Sequence, residues 1–323
     1  MSLIGRRTIR RAAAPMLLMC LGYFLAAVSA PLAQQEPDPN FDFRPAAPAW
    51  ASGAGPIVVL DQAHSNFHTL EGRYQAFGRV LAADGLVVRP GTERLTREGL
   101  SKARVLVIAN ALHPSNVDVE DWFLPNPSAF EDAEIEAVRS WVEGGGALLL
   151  IADHMPFAGA AEKLAAAFGV LFANGFAMHE DLNNGRFTFD RAGGGLADHP
   201  ITRGRSAAEA VTSVATFTGS AFRIVAPGSA LLTFPARTVV MMPEEAWLFS
   251  KRTPRLAGEG MLQAAVLKAG KGRVAVFGEA AMFTAQVAGP ERRPVGMSEK
   301  EAEQNPQFLL NVLHWLVGLI DPA

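Results

Sequence analysis

Cysteine is almost missing from this chain of 323 residues: Cys20 is the only one, and it lies inside an N-terminal apolar run. Everything after that run is free of thiol. This excludes a disulfide, a zinc–thiolate centre and a cysteine nucleophile from the body of the protein. A surplus of charge is missing too. The 29 basic and 32 acidic residues leave a formal charge of −3, which is not the electrostatic footprint of a nucleic-acid binder. No GxSxG elbow, no HExxH pair and no glycine-rich loop between a strand and a helix occurs, which sets aside the commonest serine-hydrolase, zinc-protease and phosphate-cradling signatures.

What is present suits a globular protein with a sizeable core: 49% of residues are apolar and 19% charged. The first 33 residues are a separate object. Arg6, Arg7, Arg10 and Arg11 precede an apolar run from Ala12 to Ala30, and small residues follow, with cleavage points after Ser29 or Ala33. That is the pattern of an export signal, with an uncleaved anchor as the alternative because the run is almost long enough to span a bilayer. The expected location is periplasmic or secreted, or at the inner membrane through that segment alone. Removing residues 1–30 removes four arginines and no acid, taking the formal charge from −3 to −7. Residues 34–55, rich in Pro, Ala, Gln and Asp, read as a flexible linker. Residues 56–323 read as one domain.

The stretch from Phe130 to Ala161 organises that domain. Ile135, Val138, Trp141 and Val142 recur at helical spacing, with Ser128 as the cap and Glu131 three residues on. Gly144, Gly145 and Gly146 end the helix. Ala147 to Ala152 is apolar without alternation, as in a parallel strand covered on both faces, and it stops at Asp153 and His154. Similar strands end at Asp61 (after IVVL), at Asn110 (after VLVIA) and near Glu279 (VAVFGE). Phe67, Leu70, Tyr74, Phe77, Val80 and Leu81 predict a helix between the first two strands. The alternation of strand and helix predicts a doubly wound α/β fold with a mainly parallel sheet. Residues 175–260 predict an inserted or appended mixed β region. Gln263–Leu267 and Arg273–Phe277 pair as a hairpin, or the second is the last central strand.

The DQAH, VLVIAN, EIEAVRSWVEGGGALLLIADH and GKGRVAVFGEAAMF stretches, with the terminal NPQFLLNVLHWL, resemble the class I glutamine amidotransferase-like superfamily. Within it the chain is most similar to domain of unknown function 4350. The resemblance implies a flavodoxin-like topology. The superfamily's enzymes carry a cysteine on a strand-to-helix turn, and here Asp153-His154 stands at the comparable turn, so amidotransferase activity is not expected. The segment HPITRG, residues 199–204, resembles trehalose-utilisation-type proteins of the same superfamily.

In a parallel sheet of this kind the strand ends converge on one edge. Asp61, His64, Asn66, Asn110 and His113 are therefore the candidate ligand-binding residues, and Asp153, His154 and Glu279 the candidate catalytic ones. His64 and His68, four apart, could share a helical turn and hold a divalent metal with a carboxylate, or serve as capping and loop histidines. Asp153 and Glu279 could equally cap helices. His314 reads as a core or interface histidine and Asn305 as a helix cap. The expected function is binding of a small polar ligand, sugar- or peptide-like, with no nucleic acid. The alternatives are a metal-assisted or acid–base hydrolase at the same edge, and a structural partner in an envelope complex using Trp122, Phe123 and Trp247.

Overall fold

A computed structural model describes residues 35–182 and 184–321. The expected export segment, residues 1–33, and Cys20 lie outside the described residues.

Eleven strands form the main sheet. In chain order they are β1 (Ile57–Asp61), β2 (Val87–Gly91), β3 (Val105–Ala109), β4 (Ala147–Ile151), β5 (Val170–His179), β6 (Gly219–Ile224), β7 (Gly228–Thr233), β8 (Thr238–Met241), β9 (Arg255–Ala257), β10 (Leu262–Ala269) and β11 (Gly272–Phe277). The longer helices are α1 (Gln75–Ala83), α2 (Asp132–Glu143), α3 (Phe157–Ala166) and α4 (Asn305–Val317). The spatial order is β9-β8-β5-β6-β10-β11-β4-β3-β1-β2, with β7 beside β10. The block β2-β1-β3-β4-β11 is parallel throughout and has the 2-1-3-4-5 order of flavodoxin-like sheets.

The expectation of a mainly parallel sheet holds only for these five strands. From β11 to β9, and at β7, every pairing is antiparallel. At β10–β11 the reason is connection length: the tight Gly270-Lys271 turn can join only antiparallel neighbours, whereas parallel strands need a crossover. The 175–260 region thus extends the sheet. Both readings of the GKGRVAVF segment are realised at once, since β11 is a hairpin partner of β10 and also the last parallel strand beside β4.

Alternate residues of the strands feed two cores. Val105, Val107 and Ala109 of β3 pack with α1 and α4, while Leu106 and Ile108 pack with α2 and α3. Strand periodicity of two sends successive side chains to opposite faces, so the central strands β3 and β4 are buried on both.

Four local expectations are corrected. Residues 35–55 are docked, not a free linker: Gln35–Pro37 pairs with Ala285–Ala288, and Phe41, Phe43 and Trp50 pack on the core. The α1 helix begins only at Gln75, so His64 and His68 do not share a helical turn; the backbone there is held by the sheet edge through Phe67 N–H to Asn110 O (2.9 Å) and Leu112 N–H to His64 O (2.9 Å). The cap of α2 is Glu131 with Glu134 in a capping box, rather than Ser128 with Glu131. Asn305 does not cap α4; Gln304 holds the cap position, and Asn305 is buried inside the first turn, where its side chain bonds both backbone groups of Ala215 and the Met282 carbonyl. His314 is a fully buried core histidine, 2.7 Å from Asp84.

Candidate functional site

The polar residues expected at the strand ends do meet at one edge. Asn110 follows β3 with φ +48°, a left-handed conformation that asparagine tolerates better than most residues. Its Oδ1 accepts the Asp153 N–H at 2.9 Å, tying the ends of β3 and β4 together. Asn66 Oδ1 accepts the His64 N–H (3.0 Å) and its Nδ2 donates to Ala109 O (3.4 Å). Asp61, His64, Asn66, His68, Asn110, Asp153 and Glu279 are all buried.

On the β1 side, His64 is clamped between carboxylates. Its Nδ1 lies 2.9 Å from both oxygens of Asp61, and its Nε2 lies 3.1 Å from Glu134 Oε1. Glu134 comes from α2 and also accepts the N–H groups of Leu95 and Glu131 (both 3.1 Å). Burial alone would lower the His64 pKa, but the hydrogen bonds and charge of Asp61 and Glu134 outweigh it and raise it. For Glu134, burial pushes upward, while the Glu131 and Leu95 amides and the His64 ring pull its pKa below the usual carboxylate value. A cleft of about 540 Å³ opens beside this clamp, with Arg94, His113 and Lys163 on its walls. His113 caps the turn Pro114–Asn116, accepting the Ser115 N–H at 3.1 Å, so it is a rim residue and not part of the buried polar group.

The β4–β11 side is different. Asp153 Oδ1 accepts the His154 N–H at 2.8 Å. Glu279 accepts the Ala281 and Met282 amides at 2.7 and 2.8 Å, and so caps the short turn Ala281–Phe283. Burial raises the pKa of both carboxyls, and the charge of Asp153 adds to the rise at Glu279. The two carboxyls repel one another, and with burial this favours the protonated form of Glu279. Tyr74 donates from its hydroxyl to Ala280 O at 3.1 Å. Burial, with the nearby Glu279 and Asp153 charges, lifts its pKa well above the usual phenol value. Arg73 lies 4.5 Å over the Phe67 ring, bonds Gln35, and its charge is offset by Asp153. His68 packs on Tyr74 at 4.7 Å. Burial, then the charges of Arg73 and His154, push its pKa well down, so its imidazole is neutral. Two buried polar atoms here have no protein partner, Asn110 Nδ2 and His68 Nδ1. Above them is an aromatic rim: Phe67, Trp122 and Phe157 are in ring contact, and His154 stacks on Phe176 at 4.7 Å.

The expected metal set does not form. Both ring nitrogens of His64 are taken by carboxylates, His68 is packed among rings, and among the described residues no group of three His, Cys, Asp or Glu could hold an ion. Glu134, Arg73 and Tyr74 were not among the expected site residues. The only prior sign of Glu134 was its spacing of three from Glu131, a capping-box pattern; nothing in the local sequence singles out Arg73.

With this geometry in view, comparison with known proteins adds the fold alone. No family model matches the chain, and no curated protein matches it. Among solved structures, the chain is similar to the mmIFT52 N-terminal domain, 14% identical, with 80% of this chain and 97% of that one covered and a TM-score of 0.56. The likeness is one of fold. More distant matches include a ThuA-like protein from Bacteroides uniformis, 12% identical over 86% of this chain and 94% of that one with a TM-score of 0.45. Another is Cytoplasmic Protein STM1381 from Salmonella typhimurium LT2, 15% identical over 80% and 98% with a TM-score of 0.47.

Proposed function

We propose that this is an exported protein that binds a small polar ligand at the carboxyl ends of β1, β3, β4 and β11, without glutamine amidotransferase activity. The observation that carries the reading is the set of polar groups around Asp153: the buried Glu279, the half-buried Arg73, and the buried, unpartnered Asn110 Nδ2 and His68 Nδ1. Such atoms cost free energy unless water or a ligand satisfies them, and they lie where open α/β sheets place their ligands. Export is supported by the arginine-led apolar run of residues 1–33, and absence of amidotransferase chemistry by the missing thiol. The similarity to domain of unknown function 4350 within the amidotransferase-like superfamily is part of the same proposal and rests on the GGGALLLIADH and GKGRVAVFGE stretches.

The test is a thermal-shift and calorimetric screen of the chain from residue 34 onward against neutral sugars, amino acids and short peptides. At least one class should raise the melting temperature, and Asp153→Asn should weaken that binding at least tenfold. No shift with any class would defeat the reading. A second reading, an acid–base hydrolase, is favoured by the two buried carboxyls Asp153 and Glu279, whose pKa values burial raises, because such a pair can supply both an acid and a base. It predicts turnover of an ester, amide or glycoside with a pH optimum that Asp153→Asn abolishes.

A further inference from the structure

Trp247 has a backbone φ of +68°. That region is uncommon for any residue with a side chain and is an outlier for a bulky one. Such strain survives only where the surroundings hold it, and it gathers at ligand sites. Here the loop is docked: Ala246 N–H donates to Trp122 O at 2.8 Å, and Glu245 bridges to Phe123 across a single β-pair. The conformation places the indole 4.6 Å from both the His154 and the Phe176 rings, yet leaves Trp247 43% exposed.

The polar group in ring contact with that indole is His154, whose N–H is held by Asp153, which is in turn held by Asn110. His154 gives Nδ1–H to Met155 O at 2.7 Å. Asn110 Nδ2 is a donor with no protein partner, and Asn110 is 1% exposed. Arg73 and Glu279 both interact electrostatically with Asp153, so charges of both signs are already present in this cluster. A ligand with net charge would leave one of these unbalanced in a buried setting.

We propose that the crevice takes a neutral, hydroxyl-bearing ring of the sugar type, lying with its apolar face on Trp247 and its hydroxyls turned to the polar groups beneath, so that Trp247 determines specificity. Each hydroxyl can both donate and accept, which suits a site with an unpartnered amide donor on Asn110 and an unpartnered ring nitrogen on His68. The inference rests on the reading of this edge as a ligand site.

The experiment titrates neutral monosaccharides and disaccharides, uncharged amides and zwitterionic amino acids into wild type, Trp247→Phe, Trp247→Ala and Trp247→Gly, following tryptophan fluorescence and heat. The expected result is saturable binding of a neutral sugar that quenches or shifts the emission, kept within threefold by Trp247→Phe and weakened at least tenfold by Trp247→Ala. Trp247→Gly, which adopts a φ of +68° freely, should melt above Trp247→Ala while binding no better, and it guards against a folding defect. Sugar binding unchanged in Trp247→Ala overturns the role of Trp247 and leaves the ligand-site reading intact. Binding of amino acids but no sugar overturns the ligand class and leaves the site. Binding of nothing by wild type overturns both.

Discussion

His64 lies between Asp61 and Glu134 and can donate to both only as an imidazolium. Its pKa is raised in the folded state, so its contribution to stability is complete below the ordinary value of 6.5 and is lost as pH rises through the raised one. Glu134 moves the other way. Its pKa is lowered, so its contribution is present above 4.5 and is lost as pH falls through the depressed value. The clamp is therefore strongest between 4.5 and 6.5. We expect His64→Gln to cost about 3 kcal/mol in that window, the scale of breaking one partner out of a buried pair, and progressively less above it. Melting curves of both proteins from acid to alkaline pH check this; a constant gap would mean that the ring acts only by packing on Phe130, 4.7 Å away. Glu279 behaves oppositely to Glu134. Its folded pKa is raised, so the native state keeps a proton that the unfolded chain loses from 4.5 upward, and stability declines as pH climbs through the raised value. In Glu279→Gln that decline should flatten, read as a smaller slope of melting temperature against pH.

At the level of elements, the two glycine motifs turn out to be one structure. Lys271 N–H donates to Glu143 O at 2.9 Å, so the β10–β11 turn sits against the end of α2. A Cβ on Gly272 would stand 2.0 Å from Val142 O and 2.3 Å from Gly146 O. Gly272→Ala should therefore destabilise by about 3 kcal/mol in denaturant unfolding, whereas the exposed Lys271→Ala should be close to neutral. The parallel block was legible because strands buried on both faces are unbroken apolar runs that end at a polar residue. The cap of α2 was misplaced by three residues because Ser128/Glu131 and Glu131/Glu134 offer the same spacing, and the fold uses the second, with Glu134 also drawn to His64. Strand β5 was hidden by Asn174-Gly175, which reads as a turn. In the fold the Asn174 side chain binds Gly159 N–H at 2.9 Å, and a Cβ on Gly175 would stand 2.3 Å from Met241 O. Half of the candidate site was legible for the same reason as the strands. Glu134, Arg73 and Tyr74 were not, because their meeting depends on helix placement 70 residues away in the case of His64 and Glu134.

Across the whole molecule, the two ends of the described chain close on each other. Asp84 accepts the Ala49 N–H (2.9 Å) through its side chain and the Trp50 N–H (3.2 Å) through its carbonyl, and it meets His314 of the last helix at 2.7 Å. Trp50 packs edge-on to that histidine at 6.0 Å. A chain starting at Pro56 should accordingly melt several degrees below one starting at Gln34, and residues 35–55 should resist limited proteolysis at temperatures where the longer chain is native. The position of β11 has a consequence for synthesis. This strand fills the middle of the sheet between β4 and β10, yet it is made after all its sheet neighbours. A nascent polypeptide halted before Gly272 has an unfilled gap where its two halves should join, and α4 is still to come. The sheet can close only once the ribosome has delivered residues 272–277 and the α4 segment that follows them.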